Sequence, residues 1–201
     1  MIAGLYMTEI SGAQSYFGSL AQLMERLPFD QIDEIAAVLL NAYHTRQTIY
    51  LFGNGGSAAL ASHFACDLGK GTVGSNGSRF RVIALTDNIP LLTAWANDSS
   101  YEDVFAEQLS NFVQADDVVF AISGSGNSPN VLRALHVARQ AGALTMGLTG
   151  FRGGKMKDLC DRCVVVPSDN MQLIEDVHVA VTHAVFCSIR RQMLRSSAAI
   201  A

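Results

Sequence analysis

The chain is short of charge. Asp, Glu, Lys and Arg make up 16% of its 201 residues against 49% hydrophobic, and the formal net charge is −4. No basic stripe runs through it, so the electrostatic footprint of a nucleic-acid binder is missing. The apolar fraction is too high for a disordered chain, yet no apolar run reaches the roughly 20 residues that a membrane helix needs. Cysteine is scarce: the four are Cys66, Cys160, Cys163 and Cys187, and their spacing is unlike a secreted disulfide framework. Cys160-x-x-Cys163 is half of a zinc or redox motif without its second pair, and reads as two ordinary thiols. No signal-peptide pattern stands at the start, and a reducing cytoplasm is the expectation. There is no linker, low-complexity stretch or internal boundary, so residues 1–201 are expected to form a single domain.

What the chain does have is alternation. Apolar residues at helical spacing predict helices over about 8–26 and 30–47, broken at Pro28. Short apolar runs predict strands at 48–52, 81–85, 118–122, 144–149 and 164–167. Between them the pattern predicts helices at about 58–68, 90–97, 105–112 and 130–141, with a long closing helix over 172–194. Strands alternating with helices predict an α/β fold with a parallel sheet between helical layers. The two leading helices, about 1–47, are more than one sheet layer requires. They either cover this chain's own sheet or present apolar surface to another subunit.

In such sheets ligands sit beyond the C-terminal ends of the strands. Two Gly/Ser turns fall there. After Ile122 comes Ser123-Gly-Ser-Gly-Asn-Ser128, then Pro129, which suits a first helical turn. Unpaired backbone N–H groups, a helix dipole and three hydroxyls converge on that loop, which makes it a candidate phosphate cradle. No Lys-Ser/Thr follows the glycines, so it is not a Walker loop. After Phe52 comes Gly53-Asn-Gly-Gly-Ser57. Thr86-Asp87 end a third strand, and Asn97-Asp98 end a helix. Asp87, Asn97 and Asp98 could bind sugar hydroxyls or merely cap turns.

His63 and Asp67 are four apart on one helix and share a face. Glu175 and His183 lie on roughly one side of the last helix, with His178 between them. Two imidazoles and two carboxylates are normal donors for zinc, and also the parts of a proton-transfer site. Isolated polar residues would show the same spacing. Trp95, Met146 and Met156 read as structural.

The ordered set Gly53-Asn-Gly-Gly-Ser57, His63, Asn97-Asp98, Ser123-Gly-Ser-Gly-Asn-Ser128, Leu148-Thr-Gly-Phe-Arg-Gly-Gly-Lys-Met156, Ile174-Glu-Asp-Val-His178 and His183 resembles the sugar isomerase (SIS) superfamily and, within it, the phosphoheptose isomerase family. The resemblance implies a three-layer sandwich with a five-stranded parallel sheet, helices on both faces and two extra N-terminal helices. It implies a homotetramer with active sites between subunits and conversion of sedoheptulose 7-phosphate to D-glycero-D-manno-heptose 7-phosphate for bacterial surface polysaccharide. Ser123, Gly124, Ser125 and Ser128 match the phosphate loop. Asn54, Gly55, Gly56 and Ser57 match a second substrate turn, and Asn97 and Asp98 a sugar-contacting pair. His63 and His183 match zinc-binding histidines, with Zn2+ as the implied cofactor. Asp67 stands where the family has a catalytic, metal-binding Glu, and Glu175 where it has a Gln ligand; both also fall among the implied substrate contacts. An arginine expected near Gly71 is replaced, with Lys70 beside it. Asp67 is the implied base and His183 its acid/base partner. The alternatives are an isomerase of another phosphosugar, a phosphosugar-binding protein without catalysis, or a relative of the subfamily that associates with the replication initiator DnaA. That subfamily lacks the histidine pair.

Overall fold

A computed structural model of the chain describes residues 10–73 and 78–198. Five strands, β1 (Thr48–Gly53), β2 (Arg81–Ala84), β3 (Val118–Ser123), β4 (Leu144–Thr149) and β5 (Arg162–Val165), form one sheet in the order β2-β1-β3-β4-β5. Every pairing is parallel. β1 and β3 are buried at all six positions, as expected of strands covered on both faces. Alternation along them divides the core. Ile49, Leu51, Val118, Phe120 and Ile122 face one helical layer, and Tyr50, Phe52, Val119 and Ala121 face the other.

The first layer holds α1 (Ala13–Met24), α2 (Phe29–Thr45), α3 (Gly56–Gly71) and α8 (Met171–Ala198). The second holds α4 (Ile89–Asp98), α5 (Ala106–Ser110), α6 (Pro129–Gln140) and the four-residue α7 (Met156–Leu159). The sequence pattern predicts every element except α7, which is too short to show a period. It also places β5 two residues late: the strand is carried by Arg162 and Cys163 as well as Val164 and Val165, and its only strand partner is β4. The first helix begins at Ala13 rather than near residue 8; residues 8 and 9 lie outside the described residues.

The two leading helices are buried to different degrees. α2 buries Ile32, Ile35, Ala36, Leu39 and Ala42 against α8 and the sheet. α1 buries only Leu23 and leaves Phe17 64% exposed. At the base of the sheet, opposite the Gly/Ser turns, the Asp117 carboxylate accepts from Thr48 N (2.7 Å) and Gln114 N (3.0 Å). It thereby ties the starts of β1 and β3 together.

Candidate active site

The strand order reverses between β1 and β3, because β2 lies on one side of β1 and β3 to β5 on the other. That switch point opens a crevice beyond the C-terminal ends of β1 and β3, and both Gly/Ser turns stand there. They are joined across it. Asn54 Nδ2 donates to Asn130 Oδ1 (2.9 Å), Asn130 Nδ2 donates back to Asn54 Oδ1 (2.8 Å), and Tyr101 Oη donates to the same Asn54 oxygen (3.0 Å). Asn130 and Tyr101 went unnoticed in the sequence. Asn130 looks like an ordinary residue of a helix's first turn, and nothing local ties Tyr101 to a turn 47 residues away.

The loop after β3 is preformed. Gly126 N donates to Ser123 O (3.1 Å) and Ser123 Oγ (3.2 Å), and Asn127 N to Ser125 Oγ (3.2 Å). The Ser123 and Ser128 hydroxyls lie 3.3 Å apart. Gly124 N, Ser125 N and Ser128 N take no intramolecular acceptor among the described residues. With α6 starting at Pro129, this is a concentration of donors suited to an anion. Ser125 and Asn127 also line a cleft of about 850 Å³ whose wall includes Arg26, Phe151, Arg152 and Asp169. Arg152 therefore stands beside the loop, and Arg26, in the turn after α1, joins it.

The turn after β1 places Gly55 at φ 56 and starts α3 at Gly56. Ser57 N donates to Asn54 O (3.0 Å). The Glu175 carboxylate of α8 overlies this turn: a Cβ at Gly56 would stand 3.2 Å from Glu175 Oε2. Further along, α3 and α8 converge. Gly71 makes this possible, since a Cβ there would come within 2.7 Å of the Phe186 ring. The convergence sets Asp67 Oδ2 3.6 Å from His63 Nε2 and 3.9 Å from His183 Nε2, with the two imidazole centroids 5.1 Å apart. One donor atom from each of these three residues lies within 4.8 Å of the others. Two imidazoles and one carboxylate in that space are a donor set that fits zinc. The histidine side chains are about half exposed and Asp67 23%. Glu175 is outside this trio and sits over the β1 turn instead.

Asn97 and Asp98 end α4 on the surface, where Asn97 Nδ2 donates to Asp98 Oδ1 (2.7 Å). No hydrogen bond or ion pair joins them to either turn among the described residues. Asp87 accepts a short hydrogen bond from Ser62 Oγ of α3, so it braces that helix. His178 does not join the polar face of α8. It is 1% exposed, and neither ring nitrogen has a hydrogen-bond partner within ordinary geometry. Burial pushes its pKa down to about 4, opposed by the nearby Thr149 backbone.

The sequence matches the SIS domain family over residues 15–150. It is 38% identical over 183 residues to the phosphoheptose isomerase of Trichlorobacter lovleyi, covering 88% of this chain and 89% of that one. It is 41% identical over 152 residues to the phosphoheptose isomerase of Rhodospirillum rubrum, covering 76% and 80%. The fold superposes on a phosphoheptose isomerase from Francisella tularensis with a TM-score of 0.83 at 28% identity, over 89% of this chain and 96% of that one. The Neisseria gonorrhoeae phosphoheptose isomerase gives 0.80 at 31%, over 88% and 95%.

Proposed function

The chain belongs to the SIS domain family and, within it, to the phosphoheptose isomerases, and we propose that this phosphosugar isomerase converts sedoheptulose 7-phosphate to D-glycero-D-manno-heptose 7-phosphate through an ene-diol. The observation that carries the reading is the convergence of His63 and Asp67 on α3 with His183 on α8. Isomerisation moves a proton between adjacent carbons, which calls for a base and a partner acid held close together. Asp67 is the base. His183, 3.9 Å away, is the partner acid that protonates the neighbouring carbon or oxygen. His63, Asp67 and His183 would hold Zn2+, with Glu175, two turns before His183 on α8, as a fourth ligand. The ion when bound supplies Lewis-acid polarisation of the sugar carbonyl. A carboxylate has two oxygens, so Asp67 can serve the ion with one and the substrate with the other.

The Ser123, Gly124, Ser125 and Ser128 loop binds the phosphate, and its remote binding energy positions the reacting carbons. Asn54, Gly55, Gly56 and Ser57 line the sugar, with Glu175 placed to accept from its hydroxyls. Asn97 and Asp98 are assigned to the sugar across a subunit boundary. The exposure of His63, His183 and α1 supports a homotetramer that closes the site, with Phe17 and Phe29 (64% and 57% exposed) as apolar contact surface. The setting assigned is the cytoplasm, in heptose supply for surface polysaccharide.

A second reading has one observation behind it. Glu175 puts a negative charge directly over the β1 turn, which would select a different hydroxyl pattern and so a different phosphosugar. The test is turnover of sedoheptulose 7-phosphate by metal-stripped protein, before and after zinc is added, beside a panel of pentose and hexose phosphates. Zinc-restored turnover of the heptose alone is the expected result. Preference for another phosphosugar would overturn the substrate, and equal turnover without metal would overturn the role of zinc.

A further inference from the structure

The two thiols that the sequence presents as ordinary are not placed independently. Cys160 caps the end of α7 and Cys163 lies in β5, yet both sulfurs converge on Gly147 of β4. A Cβ at Gly147 would stand 3.0 Å from Cys160 Sγ, 3.4 Å from Cys163 Sγ and 2.8 Å from Met156 Cε. The missing side chain leaves a niche that the two thiols and the fully buried Met156 fill together. Both cysteines are partly exposed. The neighbouring Cys160 thiol, with help from the Lys157 charge and against the effect of burial, draws the Cys163 pKa below the usual thiol value, so Cys163 is the nucleophile of the pair. The adjacent Cys160 is pushed up.

α7 connects this niche to the phosphate loop. At its start, Lys155 N donates to Asn127 Oδ1 (3.1 Å) and Met156 N to Gly126 O (3.0 Å). At its end, Cys160 N donates to Met156 O (3.0 Å). One short helix thus has the loop at one end and a thiol pair at the other.

We propose that Cys160 and Cys163 form a reversible disulfide by exchange with a low-molecular-weight disulfide, and that closing it loosens the phosphate loop through α7. The second half rests on the phosphate-loop reading above. In the exchange, the Cys163 thiolate attacks one sulfur of RSSR and releases RS−. Cys160 then attacks the Cys163 sulfur of the mixed disulfide and releases the second RS−. Two protein thiols are oxidised and RSSR is reduced to two RSH, which carry away both protons. Disulfides in reducing compartments are mostly transient devices of this kind. Drawing the sulfurs to bonding distance disturbs the packing of Met156 in the Gly147 niche, and Met156 is the residue that holds Gly126.

The experiment equilibrates the full-length protein with glutathione at graded ratios of disulfide to thiol, blocks free thiols, and maps them by peptide mass spectrometry. Inorganic phosphate affinity is measured on the same samples by calorimetry. The expected result is an internal 160–163 link, reversed by dithiothreitol, with Cys66 and Cys187 still free and phosphate affinity reduced about three- to tenfold, the scale of one lost hydrogen bond. The Cys163→Ser protein should keep its phosphate affinity at every ratio. Separate glutathione adducts on the two cysteines, or no modification, would overturn the exchange. A mapped link with unchanged affinity would overturn the coupling. Failure of the reduced protein to bind phosphate would overturn the loop reading and the coupling with it, while the peptide map still decides the exchange.

Discussion

After β3 the chain enters a turn that its neighbours clamp. Gly150 N donates to Gly124 O (2.9 Å), Met156 N to Gly126 O, and the backbone of Gly153 and Gly154 presses against Gly126. After β1 the chain enters a turn of similar composition that is open at Gly55 and overlain at Gly56 only by the Glu175 side chain. A Cβ at Gly55 would meet nothing within 4 Å, and the turn is held through the Asn54 side chain and the first bonds of α3. The helices differ as well. α6 buries Asn130, Val131, Ala134, Leu135 and Ala138, starts directly from the loop and reaches the other turn through Asn130. α3 carries His63 and Asp67 outward to meet α8. One unit is a closed turn with its backbone donors already in place. The other carries its imidazoles and carboxylate on an open surface. Binding rewards preorganisation, whereas proton transfer needs groups that a substrate can reach.

The largest effect expected from breaking this division is at Asp67. Asp67→Asn keeps the shape of α3 and removes the carboxylate proposed as the base, so turnover should fall by about 10²- to 10⁴-fold while inorganic phosphate binds as before. Steady-state kinetics beside calorimetry measure both. A matching loss of phosphate affinity would show that the two units do not work separately.

The two glycines test the clamp itself. Gly126 has φ 64, and a Cβ there would stand 2.2 Å from Gly153 O and 2.7 Å from Thr149 Oγ1. Gly126→Ala should cost about 3–4 kcal/mol in urea unfolding, from a disfavoured backbone and a forced shift of the neighbouring turn. Gly55 also has a positive φ, 56, with ψ -122, but open space around it. Gly55→Ala should cost less, about 1–3 kcal/mol, from the disfavoured backbone alone. Equal losses at the two positions would remove the distinction.

His178 lies behind the clamped side, buried near Thr149, whose Oγ1 reaches Gly124 O (3.4 Å). Its folded pKa of about 4 is below the ordinary histidine value of 6.5. The unfolded chain therefore takes up this proton first as pH falls. Its contribution to stability is intact above pH 6.5, declines between 6.5 and 4, and is gone below 4. The amount is on the order of 3 kcal/mol. Unfolding curves of the natural protein and of His178→Gln at pH 7 and pH 4 should diverge by that amount. Parallel curves would mean that the buried ring shares its proton with a partner.

How much of this the sequence shows depends on the range over which each signal acts. The buried strands of β1 and β3 are continuous apolar runs, and both Gly/Ser turns are local, so fold and turns are legible. The pairing of His63 with Asp67 is legible because one helix carries both. Their meeting with His183 is a tertiary fact, set by Gly71 letting α3 approach Phe186; spacing offers it as one possibility beside isolated polar residues, and the resemblance selects it. His178 shares a helix with Glu175 and His183, but three residues rotate it about 60° from Glu175, and it ends buried. The Cys160 and Cys163 niche is illegible because it depends on a glycine in a different strand.

The smallest effect belongs to Tyr16. Its hydroxyl donates to Asp176 Oδ2 (2.6 Å), fastening α1 to α8 one residue from the Glu175 that overlies the β1 turn. The hydrogen bond to Asp176 raises the phenol pKa to about 12 from an ordinary 10. The bond's contribution is complete below pH 10 and fades as pH rises towards 12. It lies near the surface, so Tyr16→Phe should cost only about 0.5 kcal/mol at pH 8, with the melting-temperature gap to the natural protein narrower at pH 11. The same variant sharpens the comparison. If the β1 turn is held only by its own bonds and Asn54, KM for the phosphosugar should not change. A raised KM at unchanged phosphate affinity would mean that α1, through Asp176 and Glu175, is the clamp that the first turn otherwise lacks.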